Sequence, residues 1–445
     1  MREITLAQAA QWCGGSVAPE FAERTFRGAN FDTRRLQPGE LFVAITGARD
    51  GHDFARGAME KGAAAVLASK ALDQDIPAIY VQDTVTALQS IAARYRESLT
   101  LKCIGITGSV GKTTTKEMIA AVLSTTFRTE KTAENFNNGL GLPVTVLGLA
   151  EDCEAAVLEM GMNHFGELSV LTRIAQPDIA VITNIGTMHI ENLGSREGIL
   201  QAKLKILEGL RPGGTAIFNG DDDMLQTVGR EAVRFGLFED CDVRAVEIQP
   251  GDEAVRFTAL AQGRSFPVEL PVPGEHNVRN ALAAIAVGLQ LGVPVDRIQS
   301  GLAGFHNTGM RQKIYTLDGV TVIEDCYNAG PESMRAALAV LHGRKTQGRR
   351  IAVLGGMLEL GAHAPQAHFE AGKAAAQAAD LLFAYGENSE QYVAGAKGIP
   401  AKQYQTHEDL AQELRQTLRP GDVLLVKGSR GMRMERVLEL LKNKG

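Results

Sequence analysis

With 445 residues the chain is long enough for about three domains and excludes a small scaffold held by disulfides. Hydrophobic residues at 44% and charged residues at 22% sit close to globular averages, which excludes wholesale disorder and a fibrous protein. Lys+Arg 46 against Asp+Glu 52 leaves −6, too slight and too evenly spread for a nucleic-acid coat or a polybasic membrane patch, so the expected partner is a small molecule.

The first predicted elements are short apolar runs at Leu41–Ile45, Ala63–Ser69 and Ala78–Asp83, separated by Gly/Asp-rich turns, which read as a small α/β unit ending near residue 84. Val85, Leu88, Ile91, Ala92 and Tyr95 then follow helical spacing. A second strand series follows at 102–106, 155–160, 179–185 and 215–219, each run too short for a helix and mostly apolar, as in strands covered on both faces. Alternation at 243–248, 255–260 and 266–270 reads as a small antiparallel appendage, followed by a helix over Asn277–Gln290. The strand series resumes at 320–325, 350–356, 379–386 and 422–429, giving a third α/β domain from about 313. The expected fold is therefore α/β in three domains, 1–84, 85–312 and 313–445, the central one carrying a mostly parallel sheet. The five cysteines, Cys13, Cys103, Cys153, Cys241 and Cys326, are odd in number and show no metal or redox spacing, so a reducing compartment fits. The N-terminus MREITLAQAAQWCGG has no signal-peptide pattern, and no apolar run approaches the roughly 20 residues that cross a bilayer. A cytoplasmic protein is expected, with no membrane insertion.

Four signals carry chemistry. In ITGSVGKTTTKEM a strand ending at Ile106 runs into Thr107, Gly108, Ser109, Val110 and Gly111, then a helix starting near Lys112, Thr113 and Thr114. That is the context of a phosphate loop: glycines let backbone N–H groups face phosphate, the helix N-terminus adds partial positive charge, Lys112 reaches the outer phosphates and Thr113 can hold Mg²⁺. The apolar strand AAVLEM ends in Glu159, at the strand end where open α/β sheets form their ligand crevice, so Glu159 is a candidate Mg²⁺ ligand; an arginine partner is the alternative. His189, in TNIGTMHIENLG after the next strand, lies at the same end of the sheet and is a second candidate ligand or an ordinary surface histidine. In SREGILQAKLKILEGL, capped by Ser195, one face carries Ile199, Leu200, Leu204, Ile206, Leu207 and Leu210, with Lys203 at its middle and Lys205 opposite. An inward ammonium must find an anion, lose its proton or be chemically changed, unless its stem carries it out to solvent.

These stretches, with HNVRNALAA (276–284), EDCYNAGPESM (324–334), LGGMLELG (354–361), NFNNGLGLP (135–143) and LVKGSRGMRMERV (425–437), closely resemble the bacterial Mur ligase family over nearly the whole length. The resemblance implies a central mononucleotide-binding domain with a phosphate loop, a Rossmann-like C-terminal domain that takes an incoming dipeptide, and an N-terminal domain that holds a UDP-sugar. It implies an ATP-dependent amide ligase working through an acyl phosphate, with UDP-N-acetylmuramoyl-tripeptide and D-alanyl-D-alanine as substrates, acting in peptidoglycan synthesis as a monomer. Single-amino-acid ligases of the same superfamily, folylpolyglutamate synthetases and a slow nucleotide switch are the rivals.

By the same resemblance, Lys112 and its loop hold the ATP phosphates, Thr113 and Glu159 one Mg²⁺, and His189 a second. Lys203 matches a family lysine carbamylated by CO₂. Asn277 and Asn280 match adenine-side contacts, and Arg311, Asp325 and Asn328 nucleotide contacts from the hinge and third domain. Thr33, Arg34, Thr46, Gly47, Asp50, Gly51 and His52 are candidates for the UDP-sugar, Asn135, Asn137 and Asn138 for central-domain substrate contacts, and Lys427, Ser429 and Arg430 for the dipeptide. Gly356 stands where the family commonly has aspartate and Gly330 where asparagine is usual, which weakens any role at those two positions.

Overall fold

The apolar runs become strands in the order their pattern predicts. The computed structural model describes residues 2–229, 231–307 and 309–443, and the chain partitions into two units: Met1–Thr107, Thr126–Ile182 and Ala202–Ile217 in the first, Gly108–Thr125, Thr183–Gln201 and Phe218–Gly445 in the second. The fold is mixed α/β with mostly parallel sheets.

In the first unit, a five-stranded sheet orders Ser16–Val17, Ala78–Tyr80, Ala65–Ala68, Leu41–Val43 and Ala29–Asn30, parallel except for the first pair. Ala65–Ala68 is buried along its whole length, as expected of a strand covered on both faces. The helix Thr84–Ser98 starts where Asp83 accepts from the Thr86 N–H at 2.6 Å, and it buries Leu88, Ile91, Ala92 and Tyr95, with Leu88 and Ile91 each contributing of order 1.5–3 kcal/mol. Lys102–Thr107 then lies between Ala155–Glu159 and Ile179–Ile182, all parallel, with Glu159 opposite Ile106 and Ile182 opposite Thr107. This register brings the ends of three strands level at the residues that enter the glycine-rich loop.

In the second unit, helix Lys112–Leu123 packs on helix Glu275–Gln290. The appendage is antiparallel, Val255–Ala261 pairing with both Val243–Pro250 and Arg264–Leu270, and its burial alternates along each strand as the sequence does. A six-stranded sheet orders Lys313–Leu317, Val320–Asp325, Val423–Lys427, Arg350–Gly355, Leu381–Tyr385 and Ala401–Tyr404, parallel except for the first pair. Its core gathers Val322, Ile351, Val353, Leu424, Val426 and Leu438.

Two features depart from the sequence reading. Thr129–Lys131, Lys313–Leu317 and Ala401–Tyr404 carry no apolar run because each lies at an edge, where one side faces water. The helix expected to run from Ser195 to Leu210 is α-helical only over Arg196–Leu204 and tightens to a 3₁₀ turn over Lys205–Gly209. The Thr172 hydroxyl donates to the Ile206 carbonyl at 2.6 Å, and Gly209 lies so close to Thr172 that a Cβ would come 2.2 Å from the Thr172 carbonyl oxygen. The tight turn lets both contacts form. Leu200, Leu204, Leu207 and Leu210 are only half-buried, whereas Ile199 and Ile206 are buried.

A half-buried ion pair joins the starts of two neighbouring strands of the six-stranded sheet. Asp422, 2% exposed, receives the Arg349 guanidinium at 2.6 Å and the N–H groups of Arg349 and Arg419, each at 2.9 Å. Burial alone pushes its pKa up, but these donors outweigh burial and hold it below the ordinary aspartate value. A carboxylate with a depressed folded-state pKa adds stability above its unfolded pKa of about 4 and loses it as pH falls through the folded value. Asp422→Asn therefore destabilises by about 2–3 kcal/mol at pH 7, and the gap to the unaltered chain narrows below about pH 4. Urea unfolding at pH 7 and at pH 3.5 measures both; an equal gap at the two pH values refutes the linkage.

Candidate active site

The strand Lys102–Thr107 passes straight into Gly108, with φ +152°, and Gly111, with φ +83°, caps the helix that follows. A Cβ on Gly108 would lie 1.9 Å from Thr183 Oγ1, and one on Gly111 would lie 2.8 Å from Asn280 Oδ1, so both positions require glycine for space as well as for backbone angle. Thr183 and Asn184, which the motif alone does not reveal, shape the loop. The Ser109 N–H donates to the Asn184 carbonyl at 3.1 Å and the Val110 N–H to Asn184 Oδ1 at 3.0 Å, while Thr183 Oγ1 and Asn184 Nδ2 donate to the Val110 carbonyl at 2.6 and 3.0 Å. Their signal in the sequence is position: they directly follow Ile179–Ile182, the strand paired with the one that enters the loop. Lys112 Nζ bonds the carbonyls of Gly108 and Ser109 at 2.7 and 3.2 Å, so its ammonium stays at the loop, and Thr113 is buried at the start of the helix.

Glu159 is 2% exposed. Asn137 Nδ2 donates to its Oε1 at 2.8 Å, and the Glu159 N–H donates to Thr132 Oγ1 at 2.9 Å. The Gly161 N–H in turn donates to the Asn137 carbonyl at 2.8 Å, so Asn137 is clamped to the strand end by both its backbone and its amide. Lys203 is 1% exposed, while Lys205 projects outward and pairs with Glu208 at 2.7 Å, as the helical phase predicts. His189 has φ +64°, precedes the short helix Ile190–Leu193 and places Nδ1 2.5 Å from Glu359.

Asn277 and Asn280 are both buried and mutually bonded at 3.2 Å. Asn280 Oδ1 accepts from Thr115 at 3.1 Å, and Asn277 Nδ2 donates to the Pro273 carbonyl and to Gln312 at 2.8 and 3.0 Å, joining two helices and the segment at Gln312. The Arg311 guanidinium stacks 3.6 Å from the Tyr327 ring centroid. Lys427 is buried and bonds Asp325 at 2.6 Å and the Asn328 carbonyl at 3.0 Å, which joins it to the candidate nucleotide contacts. Ser429 is buried too, donating to the Ala329 carbonyl at 3.1 Å and accepting from the Leu358 N–H at 2.9 Å. Arg430, by contrast, is 57% exposed and pairs with Glu435 at 2.8 Å. The tail motif is thus divided between a buried network and the surface.

In the N-terminal stretch Asp50 accepts from the His52 N–H at 3.1 Å and contacts His52 Nδ1 at 2.6 Å, and it pairs with Lys70. Lys70 first, then His52, hold its carboxyl well below the usual range. His52 Nε2 accepts from the Ser69 N–H at 3.0 Å, and Gly51 is pressed against Ile45, where a Cβ would lie 2.5 Å from its nitrogen. Thr46 bridges Asp50 and is followed by Gly47, while the Thr33 carbonyl accepts from Lys61 at 2.8 Å. Arg34, 84% exposed, forks onto Asp32. Its neighbour Arg35 bonds Glu134 at 3.2 Å and lies over Phe136, and Phe31 packs 6.2 Å from the same ring. These contacts link the stretch to the 135–138 segment, where Asn135 accepts from the Asn137 N–H at 2.7 Å and Asn138 Oδ1 caps the turn into the helix Gly141–Gly148.

The donor set suits a nucleotide with Mg²⁺. Taken one by one, the hydroxyl of Thr113 and the buried carboxylate of Glu159 are each a kind of oxygen ligand that Mg²⁺ takes from protein when phosphates and water supply the rest. Among the described residues no group of three or more His, Cys, Asp or Glu side chains gathers as an all-protein metal site.

Comparison with known proteins gives three adjoining matches: a Mur ligase family catalytic domain over residues 25–96, a Mur ligase middle domain over 106–288 and a Mur ligase glutamate ligase domain over 310–430. The chain is 40% identical over 451 residues to the UDP-N-acetylmuramoyl-tripeptide–D-alanyl-D-alanine ligase of Bacillus subtilis, covering 99% of this chain and 98% of that one. To the ligase of the same name from Escherichia coli it is 37% identical, covering 100% of both. Among solved structures it is similar to MurF from Acinetobacter baumannii, with a TM-score of 0.92 at 33% identity over the full length of both chains. It is also similar to the MurF ligase of Thermotoga maritima in complex with ADP, with a TM-score of 0.84 at 30% identity over 94% of this chain and 97% of that one.

Proposed function

The chain belongs to the Mur ligase family, and from that premise we propose that it is an ATP-dependent, ADP-forming ligase that joins D-alanyl-D-alanine to UDP-N-acetylmuramoyl-tripeptide. The observation that carries this reading is full-length likeness at 40% identity to a ligase of that activity, combined with a phosphate loop whose entering strand lies in register with the strand ending at Glu159. The product is the UDP-muramoyl-pentapeptide precursor of peptidoglycan.

The terminal carboxylate of the tripeptide attacks the γ-phosphorus of ATP, forming a C–O–P bond as the bond to the ADP oxygen breaks. The dipeptide amine then adds to the acyl carbon, loses a proton and expels phosphate. Lys112 offsets the charge that builds on the transferred phosphoryl group. Magnesium, when bound, would be held by Thr113 and Glu159, with His189 toward a second ion, and would supply positive charge to the phosphoryl oxygens. The hydrogen bond from Asn137 supports the metal reading of Glu159, because it fixes one oxygen and aims the carboxylate.

The Lys203 ammonium loses one proton, and its amine then adds CO₂ and loses a second, giving a carbamate; this replaces a buried cation with an anion that suits a magnesium site. Its 1% exposure supports this reading over escape of the amine to solvent. Asn277, Asn280, Arg311, Asp325 and Asn328 serve the nucleotide, the stretch from Thr33 to His52 the UDP-sugar, and residues 313–445 the dipeptide. The working form is a cytoplasmic monomer; among the described residues no helix is long and apolar enough to cross a membrane.

The test is product analysis by mass spectrometry with ATP, Mg²⁺ and each of the lysine- and diaminopimelate-containing UDP-tripeptides, offering D-alanyl-D-alanine and single amino acids in parallel. The expected result is ADP and an amide product with the dipeptide alone. Amide formation with a single amino acid instead, or ADP release with no amide in any arm, refutes it.

A further inference from the structure

Glu332 lies in the first turn of the helix Pro331–Gly343, where an acidic side chain ordinarily serves its own helix N-terminus. Here Ser333 makes the capping contact, its hydroxyl accepting from the Gly330 N–H at 3.0 Å. Glu332 reaches instead to Thr187: its Oε1 accepts from both the backbone N–H and the hydroxyl at 3.1 Å, and Oε2 lies 3.4 Å from that hydroxyl. Gly186 leaves room for it, since a Cβ there would lie 2.7 Å from the Glu332 carboxyl carbon. The same short segment is gripped along its length. Met188 fills the space beside Gly330, where a Cβ would meet its sulfur at 2.3 Å, and His189 meets Glu359. At its other end the Gly186 N–H donates to Ser109 Oγ of the phosphate loop at 2.9 Å.

We propose that Glu332 is a positioning residue: by holding Thr187 it sets the segment Gly186–His189 against the phosphate loop only while the C-terminal α/β region is docked, so that phosphoryl transfer is timed to the region that brings the amine. The timing rests on the ligase reading above; the grip on the segment does not. Glu332→Ala lowers the rate of amide formation by about ten- to a hundredfold, the scale of a misplaced constellation. It leaves ATP affinity within about twofold and raises the share of ATP hydrolysed without amide product. Glu332→Gln, which keeps one acceptor oxygen and the side-chain shape, falls between. Thr187→Val adds little to Glu332→Ala, because the two remove one interaction.

Hydrogen exchange on the full chain is the readout that needs no substrate: Glu332→Ala and Glu332→Gln speed exchange across residues 186–193 by about tenfold and leave 112–123 unchanged. Unchanged exchange across 186–193 in both variants overturns the proposal, as does full additivity with Thr187→Val or an unaltered coupling of hydrolysis to ligation. If the unaltered protein makes no amide, the ligase reading and the timing fall together, while the exchange result still decides whether Glu332 holds the segment.

Discussion

Lys112→Ala lowers amide formation by about a thousandfold, with a weaker loss in ATP affinity. The ammonium is held at the loop by the carbonyls of Gly108 and Ser109, and it stands at the N-terminal start of the helix Lys112–Leu123, where backbone N–H groups already favour an anion. Ground-state phosphate binding is therefore shared among several donors, and losing one costs part of it. The phosphoryl group in flight concentrates its need for positive charge, and removing one such stabilising group typically costs 10²–10³ in rate, about 2.7–4 kcal/mol. Lys112→Arg does not restore the rate, because a planar guanidinium has a different reach and hydrogen-bond geometry and cannot replace a compact ammonium bonded to the Gly108 and Ser109 carbonyls. ADP release and amide product measured together, with circular dichroism to verify folding, check this; a variant keeping more than a tenth of the rate contradicts it.

Lys203→Ala is expected to cost about a hundredfold or more, and small carboxylates such as formate or acetate are expected to return part of the loss. A side chain 1% exposed on the Ile199 face of its helix is costly to keep as a cation, because removing an ammonium from water carries an effective penalty of several kcal/mol. Carbamylation replaces the cation with an anion whose two oxygen atoms would face bound magnesium, which would offset the cost of burying that charge, and a small carboxylate can imitate those oxygens once alanine has opened the space. Labelled bicarbonate gives an independent measurement, since the unaltered protein should show a carbamate carbon signal that Lys203→Ala lacks. Full activity in the variant sinks the idea, as does a dead variant that no carboxylate rescues together with no labelled signal in the unaltered protein.

Asp325 and Lys427 show a contact that a local reading does not reach. By resemblance alone Lys427 went with Ser429 and Arg430, three neighbours on one motif. The strand carrying Lys427 pairs in register with the strand carrying Asp325, Lys427 opposite Asp325, so the two meet as cross-strand partners while Arg430 turns outward to Glu435. No spacing within KGSRGMRMERV encodes that pairing, which depends on a strand about a hundred residues earlier.

The sequence by itself determined whatever depends on backbone angle and periodicity within one element. Gly108 and Gly111 mark the loop because only glycine tolerates those positions, and the 100° phase of the helix places Lys203 inward and Lys205 outward. Tertiary structure decided the rest. The edge strands, the tightening at Lys205–Gly209, the hold of Asn137 on Glu159 and that of Glu332 on Thr187 all join segments far apart in the chain. Each arises from a neighbour that supplies a donor, an acceptor or a covered face, and that neighbour is fixed only when the sheets assemble.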